Sequence, residues 1–259
     1  MNSRFAIIIH SEDIFVQGLE KIPGAKKDAD NWIAFLKSDL GGSWNANEII
    51  VLHKPPKAVV SALIAKHVND YVFMAFSGHG FEDVSGIKVC LNDGELAVPA
   101  SQISPSKFGT VILDCCRGCD DADIGLIKEG EMFAFDNAII NSEYGRLRRA
   151  ASAALHQDVF MRFLSMRDTR SVVNMYACSK NEGAGENPLN GGYYTSLLIR
   201  GARNWGSEVA KPIGYSNGKE FTTFDAHNFA AVNMPAYNKQ QQPEYRPLFQ
   251  SYPFAVKVN

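Results

Sequence analysis

Short apolar runs alternate with amphipathic stretches along the first half of the chain, and this alternation narrows the possible folds more than any other feature. The continuous apolar run at 5–9 is typical of a buried parallel strand, whereas residues 25–40 place apolar side chains at helical intervals. The same patterns predict further strands at 48–52, 71–76, 110–113, 171–177 and 252–256, and further helices at 57–68, 150–163 and 193–203. Strands that alternate with helices predict an α/β fold with a mainly parallel sheet.

The overall composition predicts one large intracellular domain spanning 1–259. A chain that is 46% hydrophobic can bury a sizeable core, and a net charge of -2 gives no reason to expect a nucleic-acid or membrane partner. The 5 cysteines are odd in number and two of them are adjacent, unlike a secreted disulfide framework. Neither a signal peptide nor an apolar run long enough to span a membrane is evident, so we expect a cytoplasmic location.

Two polar segments follow predicted strands, at the carboxyl ends where the functional groups of parallel sheets collect. The segment at 77–80 reads Ser-Gly-His-Gly, and the segment at 114–118 reads Asp-Cys-Cys-Arg-Gly. A lone histidine or a lone cysteine is usually a structural residue. Together, however, an imidazole can convert a nearby thiol to the nucleophilic thiolate and later protonate a leaving amine. The pair therefore favours nucleophilic catalysis by cysteine.

These segments resemble the motifs of the caspase and metacaspase family of cysteine peptidases. Residues 76–80 are similar to the family's histidine motif, and 114–118 resemble both Gln-Ala-Cys-Arg-Gly of caspases and Asp-x-Cys of metacaspases. Tyr-Ala-Cys-Ser at 176–179 and Gly-Gly-Tyr-Tyr-Thr at 191–195 are similar to the family's fifth strand and the helix start after it. The resemblance covers roughly 4–200 and the final strand. It implies a caspase-like three-layer sandwich with a mainly parallel six-stranded sheet.

The resemblance also implies a role for each residue of the site. Both alignments make Cys116 the nucleophile, with His79 as base and then acid, and the backbone N–H groups of Gly80 and Cys116 would face the oxyanion. The two catalytic residues are 37 positions apart, fewer than the roughly 50 of caspases, so the excursion between them must be short. Arg117 occupies the position where metacaspases usually have histidine.

Three residues are expected to bind the side chain before the cleaved bond. Asp114 corresponds to a metacaspase aspartate that binds arginine or lysine, Asp28 falls in a pattern similar to Gly-Cys-x-x-Asp with Ala25 in place of the cysteine, and Ser77 matches a third pocket position. Two carboxylates in a narrow pocket attract a guanidinium, so we predict cleavage after arginine, with lysine second. The alternative for Asp28 is an ordinary charge in the first turn of a helix.

Residues 118–150 are predicted to form a long exposed loop. The segment contains an acidic run and a basic cluster with few periodic apolar residues, and loops of this length are usually functional or disordered. Caspase relatives are cut in this region, so we hypothesise self-cleavage after Arg148 or Arg149. A solvated basic loop is the simpler alternative.

No metal or other cofactor is predicted. Asp120, Asp121 and Asp123 could supply part of a calcium site, but Ala-Ser-Gln at 100–102 stands where further acids are expected. A zinc site is conceivable by residue type, although its members lack a second closely spaced ligand pair; they are His79, Cys116, Cys119 and Cys178.

Other functions compete with that of an active peptidase. Cys-Arg-Gly-Cys at 116–119 fits a thiol oxidoreductase, but this function leaves the histidine segment at 77–80 unexplained. A catalytically inactive caspase-like scaffold is the other alternative. For the peptidase we expect a monomer that acts on protein substrates under a separate activator, either a protein or a small signal. The resemblance suggests a role in cell death or antiviral defence.

Overall fold

The structure, a computed structural model, describes residues 3–15, 20–118, 143–168, 170–208 and 218–258, with the backbone alone for 143–149. The helices of these residues are α1 Gly24–Lys37, α2 Lys57–Lys66, α3 Glu143–Ser165, α4 Tyr193–Glu208 and α5 Thr223–Asn233. The strands are β1 Arg4–Ser11, β2 Ile49–His53, β3 Tyr71–Gly78, β4 Gly80–Asp83, β5 Gly86–Val89, β6 Val98–Pro99, β7 Gly109–Asp114, β8 Val172–Tyr176, β9 Glu186–Asn187, β10 Gly191–Gly192, β11 Lys219–Thr222, β12 Glu244–Arg246 and β13 Pro253–Lys257.

Six strands form the main sheet, in the order β12-β8-β7-β3-β1-β2. All neighbours from β8 to β2 run parallel, and β12 alone runs antiparallel to its neighbour. The prediction of a mainly parallel six-stranded sheet is therefore confirmed.

Side chains of the central strands alternate between two apolar cores, because successive residues of a strand point to opposite faces of the sheet. In β1, Ala6 and Ile8 belong to a core that also contains Trp32 of α1 and residues of α3, α4 and α5. Ile7 and Ile9 belong to a second core, to which α2 and the β5 and β6 strands contribute. Since both faces are covered, the main sheet is the middle layer of a three-layer sandwich, and its strands can be apolar without interruption.

The excursion between His79 and Cys116 carries a small antiparallel sheet of β4, β5 and β6. Val89 and Val98 of this sheet pack into the second core. The excursion is thus short, as the sequence spacing requires, and it still forms part of the packed molecule.

The carboxyl-terminal strand does not lie at the edge of the main sheet. β13 pairs antiparallel with β11, and its Phe254 and Val256 are buried in the first core against α3 and α4. The edge position belongs to β12, which the sequence did not predict. Three residues are too few to show a periodic pattern, whereas the apolar run at 252–256 is conspicuous in sequence and serves to fill the core.

Helix α3 begins earlier than predicted. The prediction of a loop over 118–150 is therefore wrong at its carboxyl end, from residue 143 onward. The backbone of α3 is helical from Glu143, so Arg148 and Arg149 belong to a helix. Residues 143–149 include three arginines, one glutamate and one leucine, which favour helix, so a basic cluster is compatible with a helix as well as with a loop. Although α3 has 23 residues, none of the helices in the described ranges is long and apolar enough to cross a membrane.

Candidate active site

The two motifs meet at the carboxyl edge of the main sheet because their strands are neighbours. β3 and β7 pair in parallel, and the last paired residues in their register are Ser77 and Asp114. His79 and Cys116 each follow two positions later in the sequence. Since paired parallel strands lie about 4.8 Å apart, the fold brings both motifs to the same place, as their positions after strands predicted.

A backbone carbonyl holds the imidazole of His79. Its Nε2 lies 2.7 Å from the carbonyl oxygen of Glu20, in the segment between β1 and α1, and the side chain is buried. A carbonyl can only accept, so this contact requires Nε2 to carry the proton. Nδ1 is then the nitrogen left to act as a base, and the ring orientation is set by a group that does not titrate.

Of the two adjacent cysteines, Cys116 is the accessible one. It is half-buried, and the backbone N–H of Ala184 donates to its sulfur over 3.4 Å. Cys115 is fully buried, and this burial raises the pKa of its thiol well above the ordinary value. A thiol that resists ionisation is a poor nucleophile, so the environment favours Cys116 for that role.

The glycine that follows His79, Gly80, packs directly against the cysteine motif at 114–118. A Cβ atom at Gly80 would lie 2.7 Å from the sulfur of Cys115, closer than side chains tolerate. Glycine at this position therefore lets the two motifs approach each other closely.

Asp28 lies within the molecule and is not an ordinary charge at a helix start. Its side chain is fully buried, Oδ2 accepts a hydrogen bond from Ser77 Oγ at 2.7 Å, and Oδ1 accepts one from the Gly192 N–H at 2.9 Å. The structure therefore brings together two of the residues that the sequence placed in one pocket.

Asp114 is held at the amino-terminal end of α4. Its Oδ2 accepts hydrogen bonds from both the backbone N–H and the hydroxyl of Thr195, at 2.9 and 2.8 Å. The start of a helix carries unpaired N–H groups and a partial positive charge, which suit a buried carboxylate. Asp114 thus joins β7 to the helix that follows the Gly-Gly segment.

The Gly191-Gly192 pair makes room for the two aspartates. A Cβ atom at Gly191 would lie 2.2 Å from Asp28 Oδ1, and one at Gly192 would lie 2.4 Å from Asp114 Oδ2. Gly191 also has a φ of 94°, in the region that glycine adopts most readily. Larger residues here would displace the carboxylates.

Glu186 is a third acid at this place, and the sequence did not predict it. It lies on β9, opposite Gly192 on β10, and electrostatic repulsion couples it to both Asp28 and Asp114. Its Oε2 is buried without a hydrogen-bond partner among the described residues. The short β9–β10 hairpin carries Glu186 back to Asp28 and Asp114, and two-residue strands leave no clear sequence pattern.

Burial raises the pKa of all three acids. Desolvation brings the pKa of Glu186 to about 7 and that of Asp114 to about 6, and it raises the pKa of Asp28 well above its ordinary value. Mutual repulsion adds to the shift for Asp28 and Glu186. The three carboxyl groups therefore form a cluster of acids with raised pKa values, and their hydrogen-bond partners in the described part of the chain include no cation.

Arg117 fixes the loop that carries Cys116. Its buried guanidinium lies 2.6 Å from Glu82 of β4 and 3.0 Å from Glu244 of β12, and it donates to the Cys178 carbonyl at 2.9 Å. The ring of Tyr176 lies 4.8 Å away. These contacts tie the nucleophile loop to two other elements, which gives Arg117 a structural role.

Some predicted site residues remain untested. The assignment of the Gly80 and Cys116 backbone N–H groups to an oxyanion stays a prediction. Residues 119–142 lie outside the described residues, and with them Cys119 of the Cys-x-x-Cys pattern and the predicted calcium ligands Asp120, Asp121 and Asp123.

Comparisons with known proteins agree with this architecture. The family model of the caspase domain matches residues 3–247, nearly the whole chain. The crystal structure of caspase-1 from Spodoptera frugiperda is similar with a TM-score of 0.54 and 13% sequence identity, over 94% of this chain and 88% of that chain, which supports the fold alone. A search of the curated proteins found no match. Because the family model spans both motifs and the sheet that carries them, the chain belongs to the caspase-domain family of peptidases.

Proposed function

We propose that this chain is a cysteine endopeptidase that hydrolyses peptide bonds after arginine, and after lysine second. The observation that carries the specificity is the acidic cluster of the buried Asp28 and Asp114 and the half-buried Glu186, at the sheet edge where the cysteine and histidine motifs meet. A buried set of carboxylates is costly unless a cation pairs with it during function. A guanidinium or ammonium group of the substrate would supply that cation.

The proposed reaction uses His79 as base and then acid and Cys116 as nucleophile. His79 takes the proton of the Cys116 thiol, and the sulfur attacks the carbonyl carbon of the scissile bond. The C–N bond then breaks while His79 returns the proton to the leaving amine. Water, deprotonated by His79, releases the acid product from the thioester and regenerates the thiol.

Arginine fits the acidic cluster better than lysine for geometric reasons. The guanidinium is planar and presents several donors in a fixed fork, so it can pair with two carboxylates at once. The ammonium of lysine is a compact point charge with a larger hydration cost. Ser77, which donates to Asp28, keeps that carboxylate oriented.

Adjacent cysteines offer a matched test of the nucleophile. On a fluorogenic peptide ending in arginine, Cys116→Ala and His79→Ala should each lower turnover by at least about 10³-fold. Cys115→Ala removes the neighbouring buried sulfur and should retain measurable turnover. Equal loss in both cysteine variants would contradict the assignment, and a wild type without turnover under activating conditions would favour the inactive scaffold.

The remaining expectations stay proposals. We expect a cytoplasmic monomer that is switched on by a separate activator and acts in cell death or antiviral defence. Membership of the caspase-domain family favours the peptidase over the thiol oxidoreductase, because the family fold places a histidine motif beside the cysteine motif.

A further inference from the structure

A second group of ligand-type side chains lies at the same edge of the sheet, on strands that the proposed peptidase does not use. His10 of β1 and His53 of β2 are paired directly across the two parallel strands, and Glu12 follows just after β1. One nitrogen or carboxylate oxygen from each of these residues lies within 4.8 Å of those of the other two. Among the described residues, they form the one such group of histidine, cysteine, aspartate and glutamate.

The carboxylate of Glu12 contacts both imidazoles. Its Oε2 lies 2.6 Å from His10 Nδ1, and its Oε1 lies 3.5 Å from His53 Nε2. The two imidazole rings are stacked, with centroids 4.9 Å apart and planes 16° from parallel. Ring stacking and strand pairing hold the two imidazoles side by side, with the carboxylate reaching both.

The surroundings set the charge of this group. Asp13 lies 3.1 Å from His53 Nε2, and Lys54 lies 3.6 Å from Asp13 and 2.8 Å from Asp93. The lysine is therefore shared between two aspartates. His10 is buried, Glu12 is half-buried and His53 is exposed, so a solute can reach the group from one side.

We propose that the side chains of His10, Glu12 and His53 bind one divalent transition-metal ion of the zinc class. Two imidazoles and one carboxylate are a ligand set that zinc accepts, with water in the fourth position. Ligands of a tetrahedral zinc ion lie about 3.4 Å apart, given zinc–ligand distances of about 2.0–2.2 Å. Small side-chain rotations would reach that spacing, and the metal would replace the proton shared by His10 and Glu12.

Imidazole ligands also select the class of metal. Calcium and magnesium prefer sets made of oxygen atoms, whereas zinc and its neighbours in the first transition row bind imidazole nitrogen well. We therefore expect this site to discriminate strongly against calcium and magnesium.

The site lies at one end of the segment that orients His79. The Glu12 carbonyl accepts a hydrogen bond from the Ile22 N–H at 2.8 Å, and Glu20, two residues earlier than Ile22, provides the carbonyl that faces His79. A metal bound by Glu12 would thus be attached to the same stretch of chain that holds the catalytic imidazole.

Direct titration tests the site without reference to peptidase activity. The titration uses tag-free protein with the substitution Cys116→Ala, because this removes a thiolate that could bind zinc together with His79. Isothermal titration with Zn²⁺ should show one bound equivalent, and the visible spectrum with Co²⁺ should show a ligand-field band without a thiolate charge-transfer band. Adding His53→Gln should weaken zinc binding by at least about tenfold.

Matched controls separate this site from adventitious binding. His53 is exposed, so His53→Gln should fold normally, and the zinc-dependent rise in melting temperature should disappear in it. His67→Gln removes an imidazole that lies 2.8 Å from Asp70 outside the group, and it should bind zinc as the parent does. Undiminished binding in His53→Gln, or no binding in the parent, would overturn the proposal.

Discussion

At the scale of single residues, desolvation makes the charged form of the acidic cluster unfavourable, and a basic side chain of the proposed substrate would offset that cost. Desolvation disfavours the charged form of Asp28, Asp114 and Glu186, so these groups hold protons that an exposed carboxyl group would release. The basic side chain of the proposed substrate would instead compensate their negative charge. Substrate binding and proton release would therefore be linked.

Activity on arginine peptides should fall in acid over a defined range. Since the pKa of Glu186 is about 7 and that of Asp114 about 6, both groups become neutral as the pH falls through these values, and neutral carboxyls cannot pair with a guanidinium. The kcat/KM of the wild type should decline between about pH 7.5 and pH 5.5, mainly through KM. Glu186→Gln should remove the upper part of this decline, and an unchanged profile in that variant would count against its place in the pocket.

Neutralising Glu186 should stabilise the protein while weakening the enzyme. A carboxyl whose folded pKa is raised contributes stability that is complete below its unfolded pKa and is lost as the pH rises through about 7. At pH 8, Glu186→Gln should therefore melt higher by about 2–4 °C, equivalent to roughly 1 kcal/mol after allowance for solvent screening, and the difference should vanish near pH 4. Its kcat/KM for arginine peptides should drop about tenfold.

The exposed Glu208→Gln serves as the control for this substitution. It should change neither the pH dependence of the melting temperature nor the cleavage of arginine peptides. A Glu186→Gln protein that melts lower than the wild type at pH 8 would show that the carboxylate is stabilising and that its buried Oε2 has a partner after all.

Most of the acidic cluster could be predicted from the sequence, and the part that could not has a structural reason. Asp114 and Ser77 follow long apolar strands, whose parallel pairing fixes where their ends meet. Asp28 lies on an amphipathic helix that the spacing of apolar residues predicts. Glu186 depends on a two-residue strand, and such a hairpin is determined by tertiary contacts that no local pattern reveals.

At the scale of elements, the nucleophile loop depends on a buried ion pair. Arg117→Met should lower the free energy of unfolding by about 3 kcal/mol, because Glu82 and Glu244 lose the cation that compensates them. Chemical denaturation measures this change. Arg246→Met removes an exposed arginine that also pairs with Glu244, and it should cost at most about 1 kcal/mol. Equal costs would contradict an anchoring role for Arg117.

The helical backbone at Arg148 and Arg149 should slow the self-cleavage that we hypothesise there. Carbonyl groups in a helix are hydrogen bonded, so the first turns of α3 must unwind before a bond after either residue can react. We expect self-cleavage to be slower than cleavage of an unstructured arginine peptide. Mass analysis should find a cut in the wild type and none in Cys116→Ala or in the Arg148→Gln, Arg149→Gln double variant; a cut that persists in Cys116→Ala would exclude self-cleavage.

Element boundaries show what sequence patterns can resolve. The strand at 71–76 extends in the structure to Gly78, because the sheet continues to pair the polar residues after the apolar run. The helix predicted to start at 150 starts at Glu143, where polar helix formers carry no apolar periodicity. Apolar patterns locate the cores of elements, and polar ends are decided by tertiary pairing.

At the scale of the whole molecule, the parallel sheet explains why the functional groups gather at one edge. Strands β1, β2, β3 and β7 end side by side, and from their ends come the candidate metal ligands, the His79 motif and the Cys116 motif. The three-layer packing leaves the carboxyl edge of the sheet free for loops. The architecture could be predicted from alternating strands and helices, but the pairing of β13 with β11 could not, because strand partners far apart in sequence depend on the packed core.

A positional peptide library, read for the residue before the cut, tests the central claim most directly. Because two buried carboxyl groups and the half-buried Glu186 lie where the cysteine and histidine motifs meet, we predict that the wild type cleaves after arginine first and lysine second, and that Cys116→Ala cleaves nothing. Preferred cleavage after aspartate or a neutral residue would contradict the acidic pocket and with it the proposed specificity.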